Sequence, residues 1–133
     1  MAPRSGVLPR VLLFCAIAVC VGGLAACRSG EVERTAMRIT GGQPDRGRRL
    51  VRWYGCGTCH HISGVPGAEA VIGPPLDDIA NRAYLAGRLP NNPDNMLLWI
   101  MHPQHIDPHT VMPEMGVTAR DGRDISAYLY TLQ

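Results

Sequence analysis

GCGTCHHISG, residues 55–64, sets two cysteines, three glycines and two adjacent histidines within ten positions. Two cysteines separated by two residues suit three chemistries, and each makes its own demand on the flanking chain. A thioredoxin-like dithiol opens a helix that follows a strand, but no β-branched strand precedes Gly55, where the segment reads as helix. A tetrahedral zinc site needs four ligands, so His102, His105 and His109 would have to fold back onto the pair. In the third reading His60 follows Cys59 directly. In Cys-X-X-Cys-His the two thiols add to the two vinyl groups of a haem, and the adjacent imidazole places a nitrogen on the iron.

Composition bounds the rest. A chain of 133 residues makes one domain, near the lower size at which a core alone suffices. One Phe, two Trp and four Tyr leave few large side chains to fill that core, which is room for a non-protein filler. All thirteen basic residues are Arg. Arg4 and Arg10 precede an uncharged run, Val11 to Ala26, rich in Leu, Val, Ala and Cys, the layout of a secretory signal. The run closes on Leu24-Ala25-Ala26-Cys27, which resembles a bacterial lipobox and implies a diacylglyceryl group on Cys27. An uncleaved membrane helix is the alternative, and its length is marginal because a span needs roughly 20 apolar residues. Either way the remainder is expected outside the cytoplasm and tethered to a membrane. The expected organisation is a signal peptide at 1–26, a lipidated N-terminus and flexible tether at 27–43, and a domain at 44–133. Cys15 and Cys20 then leave with the signal and lipid consumes Cys27, so Cys56 and Cys59 remain for chemistry.

Periodicity supplies three helices. Gly47, Leu50, Val51 and Tyr54 lie at i, i+3, i+4 and i+7 after Pro44, the stripe of one helical face. A second helix is predicted from Asn92 as cap and Pro93 as first residue, stopping before Pro103. Its nearly continuous apolar run, Met96 to Met101, predicts burial on more than one side. The last helix opens on the capping pair Thr118 and Asp121 and carries the stripe Ile125, Tyr128, Leu129 and Leu132. Residues 61–75 are rich in Gly and Pro and read as loop, and no sizeable strand signal competes.

With these elements around Cys56, Cys59 and His60, the chain from 44 to 133 resembles a class I c-type cytochrome. The resemblance implies an all-α, small cytochrome c fold: three to four helices around one covalently attached haem c, with Cys56 and Cys59 as attachment points and His60 as an iron ligand. It implies a second ligand from WIMHPQHIDPHTVMPEMGV, residues 99–117, where the prolines, the Thr and the following Met point to Met112. Met115 is the rival, flanked by Gly116 as the family loop continues past its ligand. Met37 lies in the lead segment, and Met96 and Met101 fall inside a helix, where methionine is usually core. His61, His102, His105 and His109 offer a two-histidine alternative, against the plainer reading as surface imidazoles. In GPPL, residues 73–76, the resemblance gives Pro74 the carbonyl that accepts from the ligating imidazole's other nitrogen. It makes Arg82 the partner of a haem propionate, where the plain alternative is a solvated helix end. It sets Trp99 beside the methionine sulfur, where the alternative is a large core residue. It also implies that the first and last helices cross tightly at Gly47 and Tyr128. One departure is a shorter chain between Arg82 and the second helix, which implies a thinner floor to the haem pocket.

An iron held on both faces has no open position, so the expected activity is passing one electron in a respiratory chain, not enzymatic turnover. A haem enzyme or gas sensor requires Met112 to be off the iron. A haem subunit acting only within a larger oxidase or dehydrogenase complex is the other alternative. GVPGAEAVIGPPL (64–76) and AYLAGRLPNNPDNMLLWI (83–100) resemble cytochrome domains associated with bacterial respiratory oxidases. Expected partners are a terminal oxidase or a dehydrogenase or quinol-oxidising complex, with the membrane held through the lipid anchor, the domain facing the periplasm and no nucleic acid bound. After Cys27, eleven Arg (thirteen less Arg4 and Arg10) balance eleven Asp plus Glu. Docking is therefore expected through a small apolar surface offered by Gly57, Val65, Pro66, Ala68, Val111 and Pro113.

Overall fold

A computed structural model describes residues 28–133. The signal run, the lipobox and Cys27 lie outside the described residues. The chain divides into two compact units, Met1–Glu31 and Val32–Gln133. Of the first, only residues 28–31 are described, and they are helical.

The segment read as a flexible tether is corrected by the structure. Residues 28–40 form helix α1, in which Ala36 and Thr40, one turn apart, are buried. Thr40 Oγ1 donates to Ala36 O at 2.7 Å and accepts from Gly42 N at 3.1 Å. Gly41, at φ +68, ends the helix in the left-handed conformation that glycine adopts without strain. A Cβ on Gly42 would stand 2.7 Å from Asp124 N, so this glycine permits contact with the C-terminal helix. A buried stripe of two residues is too short to register as periodicity, and the charged, Gly-Gly-containing composition mimics a linker.

Helix α2, Pro44–Trp53, starts on proline, whose missing N–H costs nothing in a first turn, and stops where Gly55 takes φ +72. It packs against α5, Ala119–Leu129, which Thr118 caps by accepting from Asp121 N at 3.2 Å. Pro44, Gly47 and Val51 form the buried side of α2, and Ile125, Tyr128 and Leu129 the facing side of α5. A Cβ on Gly47 would stand 2.8 Å from Tyr128 Cβ and closer still to Asp124 O. Gly47→Ala is therefore expected to push the helices apart, at or above the upper end of the roughly 1–3 kcal/mol that overpacking costs. The urea midpoint of the protein measures it, and an unchanged midpoint would show that the crossing relaxes freely. Around the crossing Arg46 binds the carboxylates of Asp121 and Asp124. Tyr54 Oη donates to Asp121 Oδ2 at 2.8 Å, and Gln43 N to Asp124 Oδ1 at 2.7 Å.

Helix α3, Pro93–Met101, is capped by Asn92, whose side chain accepts from Asn95 N at 2.9 Å. Met96 and Ile100 are buried, and of the run Met96 to Met101 only Leu98 is exposed. Past His102 the chain forms a short helix that the sequence did not signal, α4, Pro103–Ile106, because Pro103 ends one helix and starts the next. A second unsignalled element is a two-stranded hairpin, β1 Tyr84–Leu85 with β2 Leu89–Pro90. Its turn residues Ala86 and Gly87 both take positive φ, +49 and +65, as the tightest hairpin turns require. Two-residue strands carry no alternation to read, and alanine disguises the turn. The described fold is thus predominantly helical, as an all-α reading requires, with this hairpin added.

Candidate functional site

Helices α2, α3 and α5, the hairpin and the loop before α5 surround a cavity of about 460 Å³. That lies within the roughly 300–1,000 Å³ of sites that take cofactors. Its wall is mostly apolar, with Val51, Leu76, Ile79, Leu85, Ile100 and Leu129 buried behind it. Cys56, Cys59, His60, Pro74, Arg82, Trp99 and Met112 all line it. Every site residue expected within the described chain thus meets at one cavity, while Cys27 lies outside the described residues.

The segment carrying the two cysteines is a single 3-10 turn, Cys56–Thr58, entered through Gly55. His60 N donates to Cys56 O at 3.0 Å, which brings the imidazole onto the same side as the half-buried, unpaired thiols of Cys56 and Cys59. Burial pushes the Cys56 thiol up to about 11. A dithiol built for exchange lowers the pKa of its attacking sulfur, so this environment does not suit thioredoxin-like chemistry. Among the described residues no group of three or more His, Cys, Asp or Glu is placed to hold a metal ion; His102, His105 and His109 do not fold back as zinc would require.

His60 Nδ1 lies 2.7 Å from Pro74 O. A carbonyl only accepts, so Nδ1 carries the proton and Nε2 keeps its lone pair for a metal. Gly73 packs against the same ring: a Cβ there would stand 2.7 Å from His60 Nδ1. Gly73 N also donates to Cys59 O at 2.7 Å. Sequence reasoning named the proline and missed this glycine, although its place directly before Pro74 was the available signal. Arg82 donates through its guanidinium to Pro75 O, which fixes the loop carrying the Pro74 carbonyl and leaves the Arg82 side chain at the cavity wall.

Asn91, also unread from the sequence, donates to Ile79 O and Arg82 O, both at 2.8 Å, and accepts from Tyr130 Oη at 2.7 Å. Burial pushes the Tyr130 hydroxyl up to about 12, so it remains a proton donor to Asn91. The hairpin forms the floor that was expected to be thin, with Tyr84, Leu85 and Ala86 at the cavity.

Met112 and Met115 both line the cavity, as does Trp99. They differ in support. Met115 packs against the buried core cluster and Met112 does not. Thr110 Oγ1 accepts from Met112 N at 3.2 Å, fixing the backbone of the loop at that point.

Directly after His60 in the chain, His61 Nδ1 donates to Asp77 Oδ2 at 2.6 Å and Ser63 N to Asp77 Oδ1 at 2.6 Å. The hydrogen bonds from Ser63, then that from His61, hold the Asp77 carboxyl down at about 2, against an ordinary value of about 3.9. A depressed carboxylate contributes stability above its unfolded pKa and loses it as pH falls through the folded one. A modest stability loss between about pH 4 and pH 2 is therefore expected from Asp77, and should be absent from the acid titration of Asp77→Asn.

Over 106 residues, 79% of this chain, the sequence is 30% identical to cytochrome c oxidase subunit 2 of Alkalihalophilus pseudofirmus. The chain spans 29% of that relative's length. No family model matches the chain, and no solved structure matches it significantly.

Proposed function

We propose that this chain is a one-electron carrier of a respiratory chain, with one haem c joined to Cys56 and Cys59 and held by His60 and Met112. The observation that carries the reading is the meeting of two thiols, an imidazole with its Nδ1 tied to Pro74, and a methionine at one apolar cavity. This donor set fits a haem: thiols for covalent attachment, a nitrogen and a soft sulfur for the iron, and an apolar wall for the ring. When bound, the haem iron supplies reversible one-electron chemistry. The chain's own residues orient the His60 ring through Pro74 and Gly73 and exclude water through Leu85, Ile100 and Leu129, and Arg82 would be available at the cavity wall to a negatively charged propionate. Were His60 and Met112 both to ligate the iron, no position would be left for oxygen or peroxide, which would separate a carrier from a haem enzyme or sensor.

The similarity to an oxidase subunit supports a respiratory oxidase as the electron partner. That relative carries the matching sequence within a longer chain, which supports a second reading: a haem subunit working inside an oxidase complex. The lipobox supports anchoring through Cys27 on the exported, periplasmic side of a membrane. An optical spectrum of the intact protein in both redox states, with a haem stain after denaturing electrophoresis, tests the carrier. Colour that survives denaturation and a ferric far-red sulfur-to-iron band are expected; a colourless band ends the reading. Co-purification with oxidase subunits through a salt wash decides between carrier and subunit.

Docking is proposed through an apolar rim, though not through all the residues first expected there. Val65 and Ala68 are 5% and 2% exposed, because Ala68 packs beneath Gly57 and Val65 closes the turn under it. Val71, Ile72 and Val111 stand 89%, 71% and 85% exposed instead, and Ile72, Val111 and Pro113 border the cavity. Of the α2 arginines, Arg46 is held by Asp121 and Asp124 and Arg48 by Gly64 O, leaving Arg49 and Arg52 with neither an ion pair nor a side-chain hydrogen bond among the described residues. Charges beyond about 10 Å are largely screened at 0.1 M salt, so ionic strength discriminates. The bimolecular electron-transfer rate of a soluble form is expected to change little with salt. A tenfold fall between low and physiological salt would show that Arg49 and Arg52 steer the partner.

A further inference from the structure

Two strands of loop, 59–63 and 73–77, run side by side and hold the imidazole between them. Their ties are Gly73 N to Cys59 O at 2.7 Å, His60 Nδ1 to Pro74 O at 2.7 Å and Leu76 N to His61 O at 2.9 Å. Pro74 and Pro75 have no N–H to give, so the second strand is short of backbone donors where the ring must be held. The far end is closed by a side chain. Asp77 accepts from Ser63 N and from His61 Nδ1, both at 2.6 Å, and so grips the residues one and three beyond His60.

We propose that Asp77 is a positioning residue for the His60 ligand, acting through His61 and Ser63 to keep the Pro74 carbonyl in register with the ring. The proposal rests on the haem reading given above. Gly73 and Arg82 hold the near end of the same strand, Gly73 against the ring and Arg82 through Pro75 O; among the described residues, Asp77 is the side chain that ties its far end back to residues 61 and 63. A carbonyl held close to Nδ1–H makes the ring a stronger donor to iron and favours the ferric state. When the clamp is released, that hydrogen bond opens more often.

The test uses the full-length holoprotein, comparing Asp77→Ala and Asp77→Asn with the parent. In Asp77→Ala the His60 Nδ1–H, followed by NMR, is expected to exchange with solvent about tenfold faster or more, as befits loss of hydrogen bonds to a charged group. The reduction potential is expected to rise and the sulfur-to-iron band to stay. Asn keeps an acceptor for Ser63 N, so Asp77→Asn is expected to fall between Asp77→Ala and the parent. A purely structural Asp77 would lower the denaturation midpoint without moving ring-proton exchange or potential, and that result overturns the proposal. If Asp77→Ala yields no folded holoprotein, His61→Ala, which removes one of the two ties, decides on the same two readouts. A parent without covalent haem overturns the underlying reading together with this one, and haem staining of the parent identifies that outcome.

Discussion

The double variant Cys56→Ser, Cys59→Ser is expected to run colourless on a denaturing gel and to lose cooperative unfolding. The reason lies in the cavity. Left unfilled, a cavity of about 460 Å³ would leave its apolar lining without packing partners, a cost set against the roughly 5–15 kcal/mol by which a whole domain is stable. Solvent entering at the mouth lowers that cost, but water gains little against a wall of Val51, Leu85, Ile100 and Leu129. The wall cannot collapse inwards easily, since the α2–α5 crossing is already closed at Gly47 and the α3 cap and the hairpin hold the other side. In the proposed reading, covalent attachment would keep the filler in place while the chain folds, and serine forms no thioether. Circular dichroism with a thermal melt measures the outcome. A colourless variant that melts cooperatively near the parent's midpoint would show that the chain fills its own core, and the haem reading would then lose its energetic basis.

Met112→Ala is expected to remove the ferric far-red band, lower the reduction potential and admit exogenous ligands such as azide or carbon monoxide. Met115→Ala should do none of these. Both sulfurs belong to cavity-lining residues, so proximity does not separate them; packing does. Met115 is engaged by the core cluster, and its truncation should appear as lost stability, in the roughly 2–5 kcal/mol range of buried methionine-to-alanine changes and at its low end because Met115 is only partly buried. Met112 lies outside that cluster, in a loop turn closed by the Thr110 hydroxyl, so its truncation removes little core packing. The two variants thus have opposite signatures, spectroscopic for one and thermodynamic for the other. Exchanged outcomes would move the ligand to Met115.

Local chemistry was enough to name much of the candidate site. The order Cys56, Cys59, His60 is a covalent pattern, and the helix starts at Pro44, Asn92 and Thr118 depend on capping within three residues, so each was readable without knowing what lies across the fold. The Gly47 contact with Tyr128 and the Pro74 carbonyl came from the resemblance, and the structure shows both contacts. What could not be read depends on partners distant in sequence. Helix α1 exists because Ala36 and Thr40 find a surface to bury against and Gly42 lets the chain lie against Asp124, 82 positions later. Val65 and Ala68 looked like a rim because loop residues usually face water, yet Ala68 fits under Gly57 and both turn inward. Gly73, Asp77 and Asn91 act by holding other segments in place, and a residue's own sequence neighbours say nothing of which segment it will hold. The sequence by itself determined the chemistry available at residues 55–64 and where three helices begin. Only the tertiary structure decided which methionine is free of the core, which apolar residues reach the surface, and how the His60 ring is held, because each depends on close packing between segments that the chain brings together only when it folds.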